Sequence, residues 1–379
     1  MSTIDPLYPA DRLPRAQESI GAAGLDGLLI TPGADLRYLT GYDALPLERL
    51  TCLVLPRSGP PALVVPELEQ PRAAASPAGA LGMEIVSWPE TADPFSLTTG
   101  LLRDALGMRT PLNAVGVADR MWAAQVLRFA GLLGGVRLSP AGVVLAPLRI
   151  RKTPAEVAAL RRAGQAIDRV HERIASWRVA GRTEAAVGRD IAAAIVEEGH
   201  ATVNFVIVAS GPNGASPHHD TGERQIEAGD QVVIDIGGAT PEGYCSDSTR
   251  TYSVGEPSAD FAGYYAVLQQ AQEAACAAVR PGVSAEAVDA VARDLIAEAG
   301  YGEYFVHRTG HGIGLEEHEE PYLVAGNAQL LEPGMAFSIE PGIYLPGRHG
   351  ARIEDIVVCT DDGGERLNLV RRDLLVLAG

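Results

Sequence analysis

Hydrophobic and polar positions divide the chain into two stretches of different character. In the first, short apolar runs at 25–30 (LDGLLI), 50–55 (LTCLVL) and 62–65 (ALVV) are separated by proline and glycine, which predicts strands. Amphipathic stretches near 10–23, 67–76 and 119–134 predict helices, so a mixed α/β domain is expected over 1–150. The sharpest boundary follows at Lys152-Thr153-Pro154-Ala155-Glu156. Thr153 suits an N-cap, Pro154 the first helical position, and Glu156 completes a capping box three residues past the cap. A long helix is therefore predicted from 154, with Val157, Leu160, Ile167, Val170 and Ile174 at roughly helical spacing and the pattern fading near Ala180-Gly181. It opens a second domain, expected over 151–379.

Within that second domain the chain repeats itself at an offset of about one hundred residues, a signal worth seeking before any motif. Gly181-Arg-Thr-Glu-Ala-Ala-Val187 opens one helix, and Gly282-Val-Ser-Ala-Glu-Ala-Val288 opens another. Further on, Glu227-Ala-Gly229 before Val232-Val-Ile-Asp235 is echoed by Glu332-Pro-Gly334 before Phe337-Ser-Ile-Glu340. A second acid follows each copy, Asp247 after Asp235 and Glu354 after Glu340, at a distance that suits a return strand. Two helix-helix-hairpin units, each ending in paired carboxylates, are expected.

Composition then narrows the partners. The chain has 379 residues, 46% apolar and 21% charged, enough to bury cores in two domains. A formal charge of −17 repels nucleic acid and anionic lipid surfaces. Cys52, Cys245, Cys276 and Cys359 lie far apart with no CxxC pair, which fits neither a thiolate zinc site nor a disulfide scaffold. The N-terminus has no secretory pattern and no run of about 18 apolar residues appears, so the expectation is a soluble cytoplasmic protein with no membrane partner.

The chemistry is concentrated in the repeated acids. Asp235, Glu340 and Glu354 sit in apolar, strand-like runs, where an ionised carboxylate without a cation is costly, and no lysine lies within ten residues of any of them. Brought together about a pseudo-twofold, the four acids would repel pairwise by about 4 kcal/mol at 4 Å in an effective dielectric near 20. Such a cluster either protonates or binds hard cations, and two divalent ions nearly balance four carboxylates. His307-Arg-Thr-Gly-His311-Gly-Ile-Gly-Leu-Glu-Glu-His318 offers an imidazole, with glycines at 310, 312 and 314 read as room for close backbone approach to a ligand or ion. Mixed oxygen and nitrogen ligation points to manganese, cobalt, zinc or iron. Two ions sharing a water generate hydroxide at neutral pH, the centre of a hydrolase.

The series Asp235, Asp247, His311, Glu340 and Glu354, with Pro-His218 upstream and His318 seven residues past the ligand histidine, resembles the pita-bread metallopeptidases that include prolidase, aminopeptidase P and methionine aminopeptidase. The likeness is strong over 155–379, and residues 1–150 look like the creatinase-type N-terminal domain of prolidases. The strings Gly-Tyr244-Cys-Ser-Asp247-Ser-Thr-Arg250, Gly-His311-Gly-Ile-Gly-Leu and Ile-Glu340-Pro-Gly-Ile-Tyr344 look most like bacterial Xaa-Pro dipeptidases. The resemblance implies an α/β (α+β) architecture with an internally duplicated catalytic domain and two divalent metal ions per subunit (Mn, Co or Zn). By the same resemblance Asp235 would chelate one ion, His311 and Glu340 the other, and Asp247 and Glu354 would bridge them. Glu340 would also act as general base. His218 and His318 would contact the substrate and steady its scissile carbonyl, and His307 would be an outer pocket histidine. Arg352 would orient a bridging carboxylate or the substrate, and Tyr244 would stand near Asp247.

The resulting expectation is a homodimeric dipeptidase acting on small Xaa-Pro peptides, its first domain closing the site against longer chains. Aminopeptidase P is the alternative within the class; a metal-free creatinase-like amidinohydrolase and a non-catalytic binding module are the alternatives outside it. His219, in a Pro/Gly/Ser-rich loop, reads as solvent-exposed, and Asp35 and Arg49 as surface charges, of interest because a dipeptide's free carboxylate needs a cationic partner. The glycines at 310–314 do not form a phosphate loop, because the lysine such a loop needs is missing.

Overall fold

The computed structural model describes residues 6–107 and 112–378, which fall into two compact units, Met1–Arg149 and Ile150–Gly379. The first unit is built on a six-stranded sheet of order β4-β3-β2-β1-β5-β6. Its strands are β1 (Gly27–Ile30), β2 (Cys52–Pro56), β3 (Ala62–Pro66), β4 (Glu84–Trp88), β5 (Ala114–Val117) and β6 (Arg137–Pro140). Strands β1, β2, β3 and β5 are buried at every residue, which is why their sequences read as unbroken apolar runs rather than alternating ones. Helices Arg12–Ala22 and Ala123–Leu133 lie within the predicted stretches. The 67–76 segment is a 3₁₀ turn followed by the helix Gln70–Ala75. β4 and β6 escaped the sequence reading because they are edge strands, only partly buried and without a long apolar run.

The second unit opens with the helix Pro154–Ile174, closed at its start by the reciprocal capping box: Thr153 Oγ1 accepts from the Glu156 amide and Glu156 Oε2 from the Thr153 amide. It buries Leu160, Ile167, Val170 and Ile174. The helix ends at Ile174, earlier than the fading pattern at 180, because residues 176–177 wind into a turn bonded back to Arg173 and Ile174.

The internal repeat is written in hydrogen bonds. Thr183 caps the helix Glu184–Glu197 by accepting from Ala186, and Ser284 caps Ala285–Glu298 by accepting from Ala287, both with φ −77° and ψ 152°. Gly181 N–H donates to Ile226 and Gly282 to Leu331; Ile226 donates back to Arg182 and Leu331 to Val283. The Glu-Ala-Gly and Glu-Pro-Gly turns likewise coincide, with Gly229 donating to Val254 and Gly334 to Cys359. Each half packs its helices over its own apolar core, one centred on Ile167, Ile191 and Ile234, the other on Leu268, Val288 and Phe337.

The hairpins differ. In the first half β7 (Thr202–Ser210), β8 (Gln231–Ala239) and β9 (Cys245–Val254) form a continuous antiparallel ribbon, to whose outer edge β17 (Leu375–Leu377) adds in parallel. In the second, β10 (Gly310–Gly312), β11 (Glu319–Leu323), β12 (Ala336–Ile339), β15 (Asp355–Thr360) and β16 (Gly363–Arg366) form a five-stranded sheet. The predicted return strand from Glu340 to Glu354 is interrupted by an extra hairpin, β13 (Gly342–Leu345) with β14 (His349–Arg352).

Candidate metal centre

Register explains how the acids meet. In the first hairpin Asp235 on β8 lies opposite Thr249, and Asp247 on β9 opposite Gly237, so the two carboxylates sit on a diagonal of one sheet face. In the second, Ile339 and Asp355 form the last ladder pair, and Glu340 and Glu354 stand just beyond it. Their amides leave the ladder: Glu340 N–H donates to Thr309 and Glu354 N–H to Thr249, which stitches the second half to the first hairpin. His311, in the middle of β10, brings Nε2 to 3.2 Å from Glu340 Oε1 and 3.6 Å from Asp247 Oδ2.

These five residues supply ligand atoms in overlapping triads, Asp235-Asp247-Glu354 and His311-Glu340-Glu354, with atoms in each within 4.8 Å of one another. A third triad joins Asp247, His311 and His318. Three features suit the cluster to holding a cation. Asp235 Oδ1 and Glu354 Oε1 are buried without a hydrogen-bond partner, a costly state for a carboxylate oxygen. The cluster is like-charged: Asp247 is pushed well above the usual carboxylate range by burial and by the charges of Glu354, Asp235 and Glu340, and Glu354 likewise by burial, Glu340 and Asp235. Finally, His311 Nδ1 lies 3.1 Å from the Gly312 carbonyl, which can only accept. Nδ1 therefore carries a proton, and Nε2 is turned toward two carboxylates, an arrangement that calls for a proton or a metal cation between them.

Glu340 behaves differently. Burial pushes it up, but the bond to His311, that imidazole's charge, His307 and Arg352 outweigh burial and hold it at about 2. Ser338 Oγ donates to its Oε1 at 3.1 Å and accepts from the His311 amide. Arg352 carries Asp235: its Nη2 is 2.6 Å from Asp235 Oδ2, while Nη1 donates to Tyr344 Oη and Nε to Thr249 Oγ1. Thr249 Oγ1 in turn donates to Glu354 Oε2 at 2.8 Å. Tyr344 Oη lies 2.8 Å from His307 Nε2, whose other nitrogen bonds the Arg308 carbonyl, so Arg352, Tyr344 and His307 form one directed chain.

The cluster floors a cavity of about 490 Å³ whose wall includes Phe205, Ile207, His218, His307, Arg308, Glu317, His318 and Arg352, a volume in the range of small-ligand sites. The ring of His318 lies 4.0 Å from that of His311, and desolvation followed by the neighbouring His311 lowers its pKa to about 4. Of the ten residues singled out in the sequence, nine line this cavity or its floor. Tyr244 does not: it is buried with its hydroxyl on Glu156 Oε1 at 2.9 Å, tying the start of β9 to the helix Pro154–Ile174, because it stands three positions before Asp247, an odd separation that puts it on the other face of an extended chain. Two further readings need correction. His219 is not a solvated side chain, since its Nε2 lies 2.8 Å from the fully buried Glu184. Gly310 and Gly312 make room for neighbouring strands rather than an ion, because a Cβ at either would fall 1.9 Å from Ser338 O or 2.2 Å from Glu320 O. Phe205, Ile207, Thr249 and Tyr344 went unassigned in the sequence or were quoted only as flanks; for the β7 pair the readable signal is register, since Ile207 pairs with Asp235.

Comparison with known proteins bears on this geometry. The model for metallopeptidase family M24 matches residues 158–361, and that for the creatinase/prolidase N-terminal domain matches 12–151. A probable dipeptidase, PepE, of Mycobacterium tuberculosis is 55% identical over 368 residues, covering 97% of this chain and 96% of the relative. Among solved structures, dipeptidase PepE from Mycobacterium ulcerans superposes with a TM-score of 0.90 at 55% identity, covering 98% of each chain. A recombinant prolidase from Thermococcus sibiricus does so with a TM-score of 0.89 at 38% identity, over 97% of this chain and 98% of that one. An Xaa-Pro dipeptidase from Bacillus anthracis gives 0.89 at 32%, over 97% and 100%.

Proposed function

Because this chain belongs to metallopeptidase family M24 and carries the creatinase/prolidase N-terminal domain, we propose that this hydrolase is a dinuclear metal-dependent dipeptidase cleaving Xaa-Pro dipeptides. The observation that carries the reading is the five-residue cluster with two buried carboxylate oxygens, Asp235 Oδ1 and Glu354 Oε1, left without protein partners. Asp235 would hold one ion, His311 and Glu340 the other, with Asp247 and Glu354 between. Two divalent ions (Mn, Co or Zn) held there supply Lewis acidity toward the scissile carbonyl and acidify a shared water. The protein's own groups do the rest. Glu340, ionised at neutral pH, takes the proton of the attacking water. His318, neutral above about pH 4, and His218 face the cavity and steady the carbonyl. Arg352 and Tyr344 hold Asp235 and His307 in place.

The relatives named dipeptidase, prolidase and Xaa-Pro dipeptidase support the substrate class. Assaying metal-loaded protein with Ala-Pro and Ala-Pro-Ala under Mn, Co and Zn in turn tests it. Cleavage of the dipeptide alone is expected; comparable cleavage of the tripeptide would make the enzyme an aminopeptidase P. Glu340→Gln should lower kcat by about a thousandfold or more, and a wild-type rate would remove Glu340 from the base role. A homodimer and a cytoplasmic location belong to the same reading. Four buried free thiols, with burial pushing Cys276 up to about 12 and Cys359 to about 11, suit a reducing compartment, and no helix among the described residues is long and apolar enough to cross a membrane.

A further inference from the structure

Two arginines line the cavity, and their electrostatic situations are opposite. Arg352 is spent, its guanidinium bonded to Asp235, Tyr344 and Thr249 and only 2% exposed. Arg308 is partly buried, yet its guanidinium makes no hydrogen bond or ion pair with any described residue. It lies instead over the face of Tyr322, 4.4 Å from the ring centroid. Tyr322 is on β11, directly across from the ligand histidine His311 on β10. Glu317, in the same cavity wall, is not within ion-pair distance of it.

An uncommitted guanidinium stands out in a chain with a net charge of −17. Stacking on an aromatic face fixes the plane of the guanidinium while leaving its N–H edge open, a pre-organised fork for a carboxylate. The need for such a fork follows from the charge balance of the floor. Four carboxylates and two dications sum to zero, so the ions leave little net positive field to hold an additional anion. A dipeptide places a free carboxylate one residue beyond the scissile bond, whereas a longer peptide has an uncharged amide there. We propose that Arg308 is the receptor for the α-carboxylate of the dipeptide's C-terminal residue, and so a determinant of substrate length. The inference rests on the dipeptidase reading above and adds the residue that enforces it.

The test compares wild type, R308K and R308Q, all metal-loaded full-length chains, on Ala-Pro and on Ala-Pro-amide, and measures L-proline binding by calorimetry. For R308Q, kcat/KM on Ala-Pro should fall about a hundredfold, mainly through KM, and on the amide only a few-fold; L-proline affinity should fall about as much as the former. R308K, which keeps the charge but loses the fork and the stack, should fall between the two. Metal content and Tm of both variants, measured in parallel, establish that the floor is intact. Equal losses on acid and amide, or L-proline binding that is absent in wild type or unchanged in R308Q, overturn the proposal. If wild type cleaves neither substrate, the dipeptidase reading fails by itself, and the calorimetry still decides the role of Arg308.

Discussion

Glu354 and Asp355 are consecutive, both carboxylic acids and both buried, yet they live in opposite electrostatic worlds. Asp355 accepts from Arg250 Nη2 at 2.7 Å and Gln272 Nε2 at 2.9 Å, is bonded by Arg372, and has Arg366 at 3.4 Å. Burial raises its pKa, but Arg250 and Arg372 more than reverse this and hold it below the usual range. Glu354 has one oxygen on Thr249 and one with no partner, and is pushed well above that range. The alternation of an extended chain sends neighbours to opposite faces: Glu354 turns to the cavity, Asp355 to a packed arginine cluster. The lesson is that burial alone does not separate the two acids; a buried oxygen left without a partner, as on Glu354 and Asp235, does. The two are also mechanically linked, since Arg250 Nη2 holds the Asp355 carboxylate while its Nη1 donates to the Glu354 carbonyl at 2.6 Å.

Substituting each acid should separate them most strongly. E354Q is expected to lower kcat by about a thousandfold or more while leaving the metal-free protein as stable as wild type or slightly more so, because a neutral amide replaces a carboxyl group whose ionisation the cluster resists. D355N should instead cost about 3–5 kcal/mol of stability by stranding buried guanidinium groups, with turnover per folded chain much less affected. Thermal melts and kcat normalised to folded protein check both; a strongly destabilised apo E354Q would erase the distinction.

A pH series sharpens the same contrast. The folded-state pKa values of Asp247 and Glu354 lie above their unfolded values of about 4. Without metal, the folded state binds the extra protons, so this contribution to stability is present below about pH 4 and is lost as pH rises through the raised values. Asp355 and Glu340 have the opposite sign: their contribution is present above about pH 4 and is lost as pH falls toward the depressed values, about 2 for Glu340. Divalent metal displaces the protons from Asp247 and Glu354, so the gain in Tm on adding Mn²⁺ should grow between pH 5 and pH 8. A gain independent of pH would mean that the cluster is already ionised when empty of cations.

The smallest effect concerns the link between hairpins. T249V removes the donor to Glu354 and the acceptor for Arg352, and should reduce metal affinity or kcat about 10- to 100-fold, with T249S restoring most of it. A T249V enzyme of wild-type rate and affinity would show that Glu354 is aligned by the ions alone.

Much of this was readable in the chain because the informative signals are local. The capping box at Thr153 and Glu156 and the acids embedded in apolar strands are each carried by a few consecutive residues, as is each copy of the repeat, Gly181–Val187 and Gly282–Val288. The partners of those acids are not local. The cation on Asp235 is Arg352, 117 residues away, and lysine could not mark it in a chain whose only lysine is Lys152. Lys152 itself is buried against Glu319. The β13–β14 hairpin that delivers Tyr344 and Arg352 has no counterpart in the first half, so the repeat could not announce it. Arg308 likewise becomes notable only when the cavity's other arginine, Arg352, is seen to be engaged.

The claim on which the rest depends is that Asp235, Asp247, His311, Glu340 and Glu354 together hold two divalent ions. Elemental analysis of protein saturated with Mn²⁺ and freed of unbound ion, run side by side on wild type and E354Q, addresses it directly. Two ions per wild-type chain and at most one in E354Q are expected; an E354Q chain holding as much metal as wild type, or a wild-type chain holding none, would contradict the account.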